Sequence, residues 1–384
     1  MTDQAASEIS PLDFARALER GEAMQVVDVR APARVAQGRI DLVPDARFHN
    51  IRGSELITYA SLDRTGIEAS QPVTVVCGHG NDSRKLATHL SQLGARARSL
   101  RGGLAAWMRL TLPRDLPVPS GLDALLQFDR IGKGALGYLL VSDGEALIVD
   151  PPRDAAAYLE EAAARGARIV AVADTHVHAD YISGAPDLSA RLGVPYCLHP
   201  ADAVYPYDGT PGRLTIRPLA GGEAIHVGRC TLRVGHTPGH TEGSVTYFIG
   251  DEAAFTGDFL FVASIGRPDL AGRTQEWTAA LWNSVERARR DWAPAMRIYP
   301  AHYGSESERN ADRSVGAAFS RLLETNPALG LQTDAAFAAW VEGRTTSFPE
   351  AYKKIKAVNV RLVEVDDREA EELEVGRNEC ALSR

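Results

Sequence analysis

The side chains in this sequence that could do chemistry are histidines, aspartates and one cysteine, and most of them close apolar runs. The stretch THVHADYISG covers residues 175–184. It follows the apolar run Ile169 to Ala173, which reads as a buried strand, and precedes 185–192, which reads as the start of a helix. His176, His178 and Asp180 thus sit on a turn leaving a strand, where α/β proteins place reactive groups. The two histidines alternate at strand spacing, which lets both point into one cavity. His240 in HTPGHTEGS, Asp258 in AFTGDFL and His302 in YPAHYGS each end a further apolar segment. Imidazoles and carboxylates gathered in this way are the donor set of a bound metal.

A second reactive position stands in the first third of the chain. The run PVTVVC (72–77) reads as a strand and leads through Gly78-His79-Gly80-Asn81-Asp82 into a helix opened by Ser83-Arg84. Glycines at 78 and 80 let backbone N–H groups turn toward the Cys77 sulfur, and the helix N-terminus adds partial positive charge. Both favour a thiolate, and equally a persulfide anion on the same sulfur. No Lys or Arg lies within residues 78–83, and Asp82 adds a negative charge.

The elements that must hold these groups fall into two blocks. Residues 1–118 alternate helix and strand signals, beginning with Ser10 as the cap of a helix opened by Pro11. Alternation of this kind implies a parallel sheet flanked by helices. The stretch LPRDLPVP, 112–119, reads as an extended linker, and the second domain runs over 119–384. There, strand signals around 125–128, 137–142 and 146–150, a helix near 154–165, strands near 231–234 and 245–249, and helices near 277–290 and 316–324 imply two packed sheets with helices outside. The acidic, aromatic-poor tail 365–384 reads as frayed, which leaves Cys380 exposed to reaction. Lys353, Lys354 and Lys356 read as a solvated helix face, able at most to steer an anionic substrate.

Composition narrows the partners. A net charge of -8 without a long basic block argues against nucleic acid or an anionic membrane surface. No apolar run approaches the length of a membrane span, and MTDQAASEIS lacks the features of an export signal, so the expected location is cytoplasmic. The four cysteines form no CxxC pair and imply neither a disulfide framework nor a structural zinc knuckle. Cys197 and Cys230 read as packed apolar sites, and His199 and His236 as structural.

The first block resembles a rhodanese (sulfurtransferase) domain through VVDVR, QGRI, VVCGHGNDSR and LRGGLAAW. That resemblance implies that Cys77 carries sulfane sulfur, cradled by Gly78, His79, Gly80, Asn81, Asp82 and Ser83. The family's Gly-His-Ile is here Gly38-Arg39-Ile40. The second block resembles the metallo-β-lactamase superfamily, an αββα sandwich with the signature HxHxDH followed by distant His, Asp and His. In this chain the signature is His176-Val177-His178-Ala179-Asp180-Tyr181, with tyrosine where the last histidine belongs. A phenol must lose a proton with a pKa near 10 before it can act as an anionic ligand, so a second metal is disfavoured. What remains suits one ion, on His176, His240 and Asp258, with His178, Asp180, Tyr181 and His302 around it. Two histidines and a carboxylate serve Fe(II) oxygenases and zinc hydrolases alike.

Within the superfamily, DTHVHADYISG, HTPGHTEGS, AFTGDFLFVASIGRPDL, YPAH and IKAVN most resemble persulfide dioxygenases. That resemblance implies one Fe(II) per chain, zinc being the alternative, and maps the iron triad onto His176, His240 and Asp258. It also maps the arginine that holds a glutathione-type substrate onto Arg267. The implied partners are small-molecule persulfides and thiols such as glutathione, thiosulfate, sulfite and O2, with a homodimer the one self-association admitted. The implied activity oxidises a low-molecular-weight persulfide to sulfite and thiol, alongside sulfur transfer at Cys77. Two readings compete with it: a zinc thioester hydrolase of the hydroxyacylglutathione type, and a non-catalytic sulfur-relay or sensing module.

Overall fold

The computed structural model describes residues 7–382. The reading of the first six residues therefore lies outside what is described. The chain divides into two compact units: Met1–Leu110 with Arg130–Lys133 and Val375–Arg377, and Thr111–Asp129 with Gly134–Glu374 and Asn378–Arg384.

Among the described residues, the first unit holds strands β1 (Glu8–Ile9), β2 (Gln25–Asp28), β3 (Phe48–Asn50), β4 (Pro72–Val76) and β5 (Arg96–Leu100). They form one sheet in the order β1-β5-β4-β2-β3, with every pair parallel. Val26, Val27, Val73, Val75 and Val76 are buried, as strands covered on both faces require. The helix Pro11–Glu19 starts where Ser10 Oγ accepts from Asp13 N at 3.0 Å. The segment Gly38-Arg39-Ile40 braces this unit: Arg30 donates to Gly38 O at 2.7 Å, and Ile40 is fully buried.

The second unit contributes β6 (Leu112–Asp115), β7 (Ala124–Arg130), β8 (Ala135–Ser142), β9 (Glu145–Val149), β10 (Arg168–Ala173), β11 (Tyr196–Leu198) and β12 (Arg217–Pro218) to one sheet. Its other sheet contains β13 (Ala224–Val227), β14 (Cys230–His236), β15 (Val245–Ile249), β16 (Ala253–Gly257), β17 (Arg297–Pro300) and β18 (Ala317–Ala318). Each sheet runs in chain order from one edge to the other, the first reversed. Leu125, Leu140, Leu147 and Val149 of one sheet share a core with Val234, Tyr247 and Phe255 of the other. The helices Ala156–Ala164 and Ala185–Leu192 pack on the outside of the first sheet, and Thr274–Asp291 on the outside of the second. The architecture is a rhodanese-type parallel sheet followed by an αββα sandwich, as the sequence implies. Among the described residues, no helix is long and apolar enough to cross a membrane.

Four local readings change. Leu112–Asp115 is an edge strand paired antiparallel with β7, not a free linker, because its alternate residues can complete a sheet while its prolines stay at the edge. The helix expected from 316 begins only at Phe319, because Ala317 and Ala318 pair with β17 first. The tail is docked: Asp367–Leu373 is a helix capped by Asp366, and Ala381 bridges Gly266. Ser383 and Arg384 lie outside the described residues. Cys380 is fully buried, so it is not an exposed thiol. Lys356 is also fully buried, whereas Lys353 and Lys354 are exposed.

Candidate metal centre and cysteine loop

Parallel strands end together, and the residues just beyond their ends converge. The run β10 delivers the 174–184 turn, β14 leads to His240, Asp258 directly follows β16 and His302 lies two residues beyond β17. Nε2 of His176 lies 3.5 Å and Nε2 of His240 3.4 Å from Oδ2 of Asp258. These three atoms are buried and take no hydrogen bond among the described residues. Two ligands each about 2.1 Å from one ion stand roughly 3–3.5 Å apart at ordinary coordination angles. The three orphaned atoms therefore fit a metal ion, and they form one of the clusters able to hold it.

Each candidate ligand is aimed by a neighbour. Thr175 Oγ1 donates to Asp150 at 2.9 Å and lies 3.0 Å from His176 Nδ1, which holds a ring proton at Nδ1 and turns Nε2 toward Asp258. His240 Nδ1 donates to the Arg267 carbonyl at 2.9 Å with the same result. Gly257, at φ +54°, sets up Asp258, and a Cβ there would collide with Thr175 Oγ1. Asp202 ties two ligand loops together by accepting from Val177 N (2.7 Å), Thr241 Oγ1 (2.8 Å) and Gly243 N (2.8 Å).

The remaining signature residues divide between two sides. His302 donates from Nδ1 to Asp258 Oδ1 at 2.6 Å, and its Nε2 lies 3.1 Å from Asp180. Asp180, His302 and Cys380 form a second group able to hold a metal. His178 turns the other way: its Nε2 lies 3.2 Å from Asp150 and 2.9 Å from the Tyr181 hydroxyl. That hydroxyl donates to the Asp150 carbonyl at 3.3 Å, so it bonds His178 and Asp150 and not Asp180. The turn is held from outside by Asn359, which donates to the carbonyls of His178 (2.8 Å) and Tyr181 (2.9 Å) and accepts from Ser183 N (2.9 Å).

Electrostatics distinguishes the imidazoles. Burial pulls His240 down to about 3, aided by His176 and Lys356 and opposed by Asp258. Burial would also lower His176, but the Asp258 carboxylate outweighs it and raises that group. Burial opposes charge on His302 as well, yet Asp180 and Asp258 together raise it to about 10. Asp258 resists burial through His302, His176 and His240, which hold it well below the usual carboxylate range.

Arg267 is buried and forks onto Asp269, with two contacts of 2.7 Å, and also donates to the Thr346 carbonyl. It borders a cavity of about 410 Å³ that His302, Phe261, Ser264 and the tail residue Glu379 also line.

In the first unit, Cys77 follows β4 and Gly80 takes φ +89° before the helix Asn81–Gln92. Gly80 N donates to the Cys77 sulfur at 3.1 Å; Ser83 Oγ lies 3.3 Å from it and 2.9 Å from Ser99 Oγ. The cradle is tied down where Leu104 N donates to Cys77 O and Ala105 N to Gly78 O. His79, Asn81 and Asp82 are exposed, and Ser83 is buried.

Sequence reading missed Asp150, Asp202 and Asn359, and placed Lys356 on a solvated face. Asp150 closes the apolar strand β9 at φ +51°, a signal of the same kind that marks Asp258. The other three carry no such mark.

A family profile described as Metallo-beta-lactamase superfamily matches residues 132–302, and one described as Rhodanese-like domain matches residues 10–110. The chain is 43% identical over 130 residues to a hydroxyacylglutathione hydrolase of Acidiphilium cryptum (strain JF-5), covering 34% of this chain and 51% of that one. It is 30% identical over 155 residues to the probable metallo-hydrolase YqgX of Bacillus subtilis (strain 168), covering 37% and 74%. It is 34% identical over 164 residues to the mitochondrial persulfide dioxygenase ETHE1 of Homo sapiens, covering 41% and 59%. The matched region thus spans about half the length of the first relative and less than two thirds of the third.

Proposed function

Because this chain belongs to the metallo-beta-lactamase superfamily and carries a rhodanese-like domain ahead of that region, we propose that it is an Fe(II) persulfide dioxygenase joined to a sulfurtransferase. The overall reaction is RSSH + O2 + H2O → RSH + SO3²⁻ + 2H⁺. The observation that carries this reading is Tyr181: its hydroxyl is committed to His178 and Asp150, so the imidazole that would complete a second histidine-rich site beside Asp180 and His302 is missing. A ferrous ion held by His176, His240 and Asp258 would supply the open positions where O2 and a sulfur ligand meet. Similarity to the human persulfide dioxygenase supports the same assignment.

The chain's own groups bind and orient. Burial of all three ligands excludes bulk water from the reacting sulfur. Asp202 holds the His176 and His240 loops in register, and His302 orients Asp258. Arg267 stands at the cavity edge, where a carboxylate of the thiol carrier, glutathione above all, takes the place of Asp269 on the guanidinium fork. At Cys77, thiolate attack on thiosulfate forms the Cys77 persulfide and releases sulfite. A thiol then accepts the outer sulfur and regenerates the thiolate. In the reverse direction the loop passes persulfide sulfur to sulfite and yields thiosulfate.

A second reading, a zinc thioester hydrolase, is favoured by the 43% identity to a hydroxyacylglutathione hydrolase. Metal analysis of anaerobically purified protein, paired with an oxygen electrode, separates the two. Close to one iron per chain and O2 uptake on glutathione persulfide are expected. Stoichiometric zinc with thioester hydrolysis and no O2 uptake overturns the proposal.

A further inference from the structure

The helix Ala351–Asn359 presents Tyr352, Lys356 and Asn359 at i, i+4 and i+7, so the three share one face. That face lies on the metal-bearing turn. Asn359 bonds the backbone at 178, 181 and 183, and the Tyr352 hydroxyl accepts from Glu379 N at 2.6 Å. Tyr352 also packs with Ala179 and Cys380. Lys356 stands between these two anchors with no exposed surface. Among the described residues its Nζ makes no hydrogen bond. Its Nζ lies 5.8 Å from the centroid of the Trp277 ring.

A buried ammonium without a partner costs several kcal/mol, which a purely structural side chain does not repay. Besides the Cys380 thiol, which packs with Ala179 and Tyr352, the acidic groups within its electrostatic reach include Asp202, Asp258 and Asp269. Each is already committed: Asp202 to three donors, Asp258 to His302 and the metal ligands, Asp269 to Arg267. Lys356 therefore offers positive charge that the protein itself does not use. Burial pulls it down to about 8 while Asp202 holds it up, so it stays mainly charged at neutral pH.

We propose that Lys356 is an anion anchor for the metal site, holding the negatively charged end of the sulfur substrate and the sulfite that leaves. The proposal rests on the persulfide reading of the site and extends it. A fixed buried cation favours an anionic persulfide over a neutral thioester, because only the former compensates the charge. Hydrophobic stem packing alone would be served by methionine, which has nearly the same length and volume.

The test uses the full chain carrying its metal, in a Cys77→Ser background so that sulfite does not exchange at the cysteine loop. Sulfite binding is measured by calorimetry for this protein and for versions that also carry Lys356→Met or Lys356→Arg. Lys356→Met is expected to weaken sulfite binding about tenfold or more, and Lys356→Arg to keep it within about threefold. With glutathione persulfide, Lys356→Met should raise KM about tenfold while changing kcat little, the signature of lost binding. Unchanged sulfite affinity in a folded, metal-loaded Lys356→Met protein overturns the proposal. Should that variant not fold, crystals of the unmutated protein soaked in selenite decide by anomalous diffraction. Selenium beside Nζ supports the anchor, and a soaked crystal without it refutes the anchor. If the protein consumes no O2 with persulfide yet binds sulfite through Lys356, the anion site stands and the dioxygenase reading falls.

Discussion

His302 donates through Nδ1 to Oδ1 of Asp258 at 2.6 Å, and this single bond decides which way the carboxylate faces. With Oδ1 occupied, Oδ2 is left for the space shared by His176 and His240. His302→Leu keeps the bulk and removes the donor. Metal affinity should then fall about 10- to 100-fold, as it does when a partner that orients a ligand is lost. Competition against a chelator of known affinity measures it. An unchanged affinity would mean that the sheet ends alone orient Asp258.

Metal binding should also be coupled to protons. Without metal, the His176 pKa is raised above its ordinary 6.5 because Asp258 outweighs burial, whereas His240, lowered to about 3, stays neutral. A metal on His176 Nε2 displaces that proton. Below the raised His176 value, affinity should climb about tenfold per pH unit for each proton released, and it should level off above that value. Titrating metal into the apo-protein by calorimetry in buffers of different ionisation enthalpy reads the proton directly. A binding heat independent of buffer at neutral pH would contradict the assignment.

The ligand candidates were legible because each ends an apolar run that had to be a strand, and parallel strand ends converge. Their supports were not. Asn359 acts across 181 positions on the His178 carbonyl, and Asp202 acts across 39 on Thr241; no local periodicity encodes either pairing. Lys356 was misread because charged neighbours at 353 and 354 suggested a wet face. The stripe through Tyr352, Ile355, Lys356 and Asn359 was visible at helical spacing and points inward. The tail misled by composition. Asp367 and Glu372 face water, while Ala370, Cys380 and Leu382 carry the packing.

Cys77→Ser should abolish sulfur transfer from thiosulfate, because serine keeps the Gly80 N–H contact but lacks a sulfur that accepts sulfane sulfur. Oxidation of added glutathione persulfide should persist, since every candidate iron ligand lies in the other unit. A cyanide-based thiocyanate assay and an oxygen electrode, run on one preparation, check both. Transfer surviving in the variant would remove Cys77 as the carrier, and loss of both activities would make the two sites interdependent.

The proposed function makes Tyr181 the residue that keeps the site to one metal, and exchanging it tests that function most directly. The Tyr181 ring centroid lies 6.2 Å from that of His302, whose Nε2 is 3.1 Å from Asp180. An imidazole holding a metal has its centroid roughly 3.2 Å from the ion, so two rings about 6 Å apart can share one. Tyrosine cannot join them, because burial first, and then Asp150, Asp174 and Asp180, raise its phenol well above its ordinary range and keep it protonated. Tyr181→His should therefore load a second divalent ion with His302 and Asp180 when metal is in excess, whereas Tyr181→Phe should remain at one. Persulfide oxidation should fall in Tyr181→His, since the second ion fills space beside Asp258. Elemental analysis of the three proteins side by side gives the stoichiometry. Two metals per chain in the unmutated protein, or one in Tyr181→His under saturating metal, would show that position 181 does not set the count.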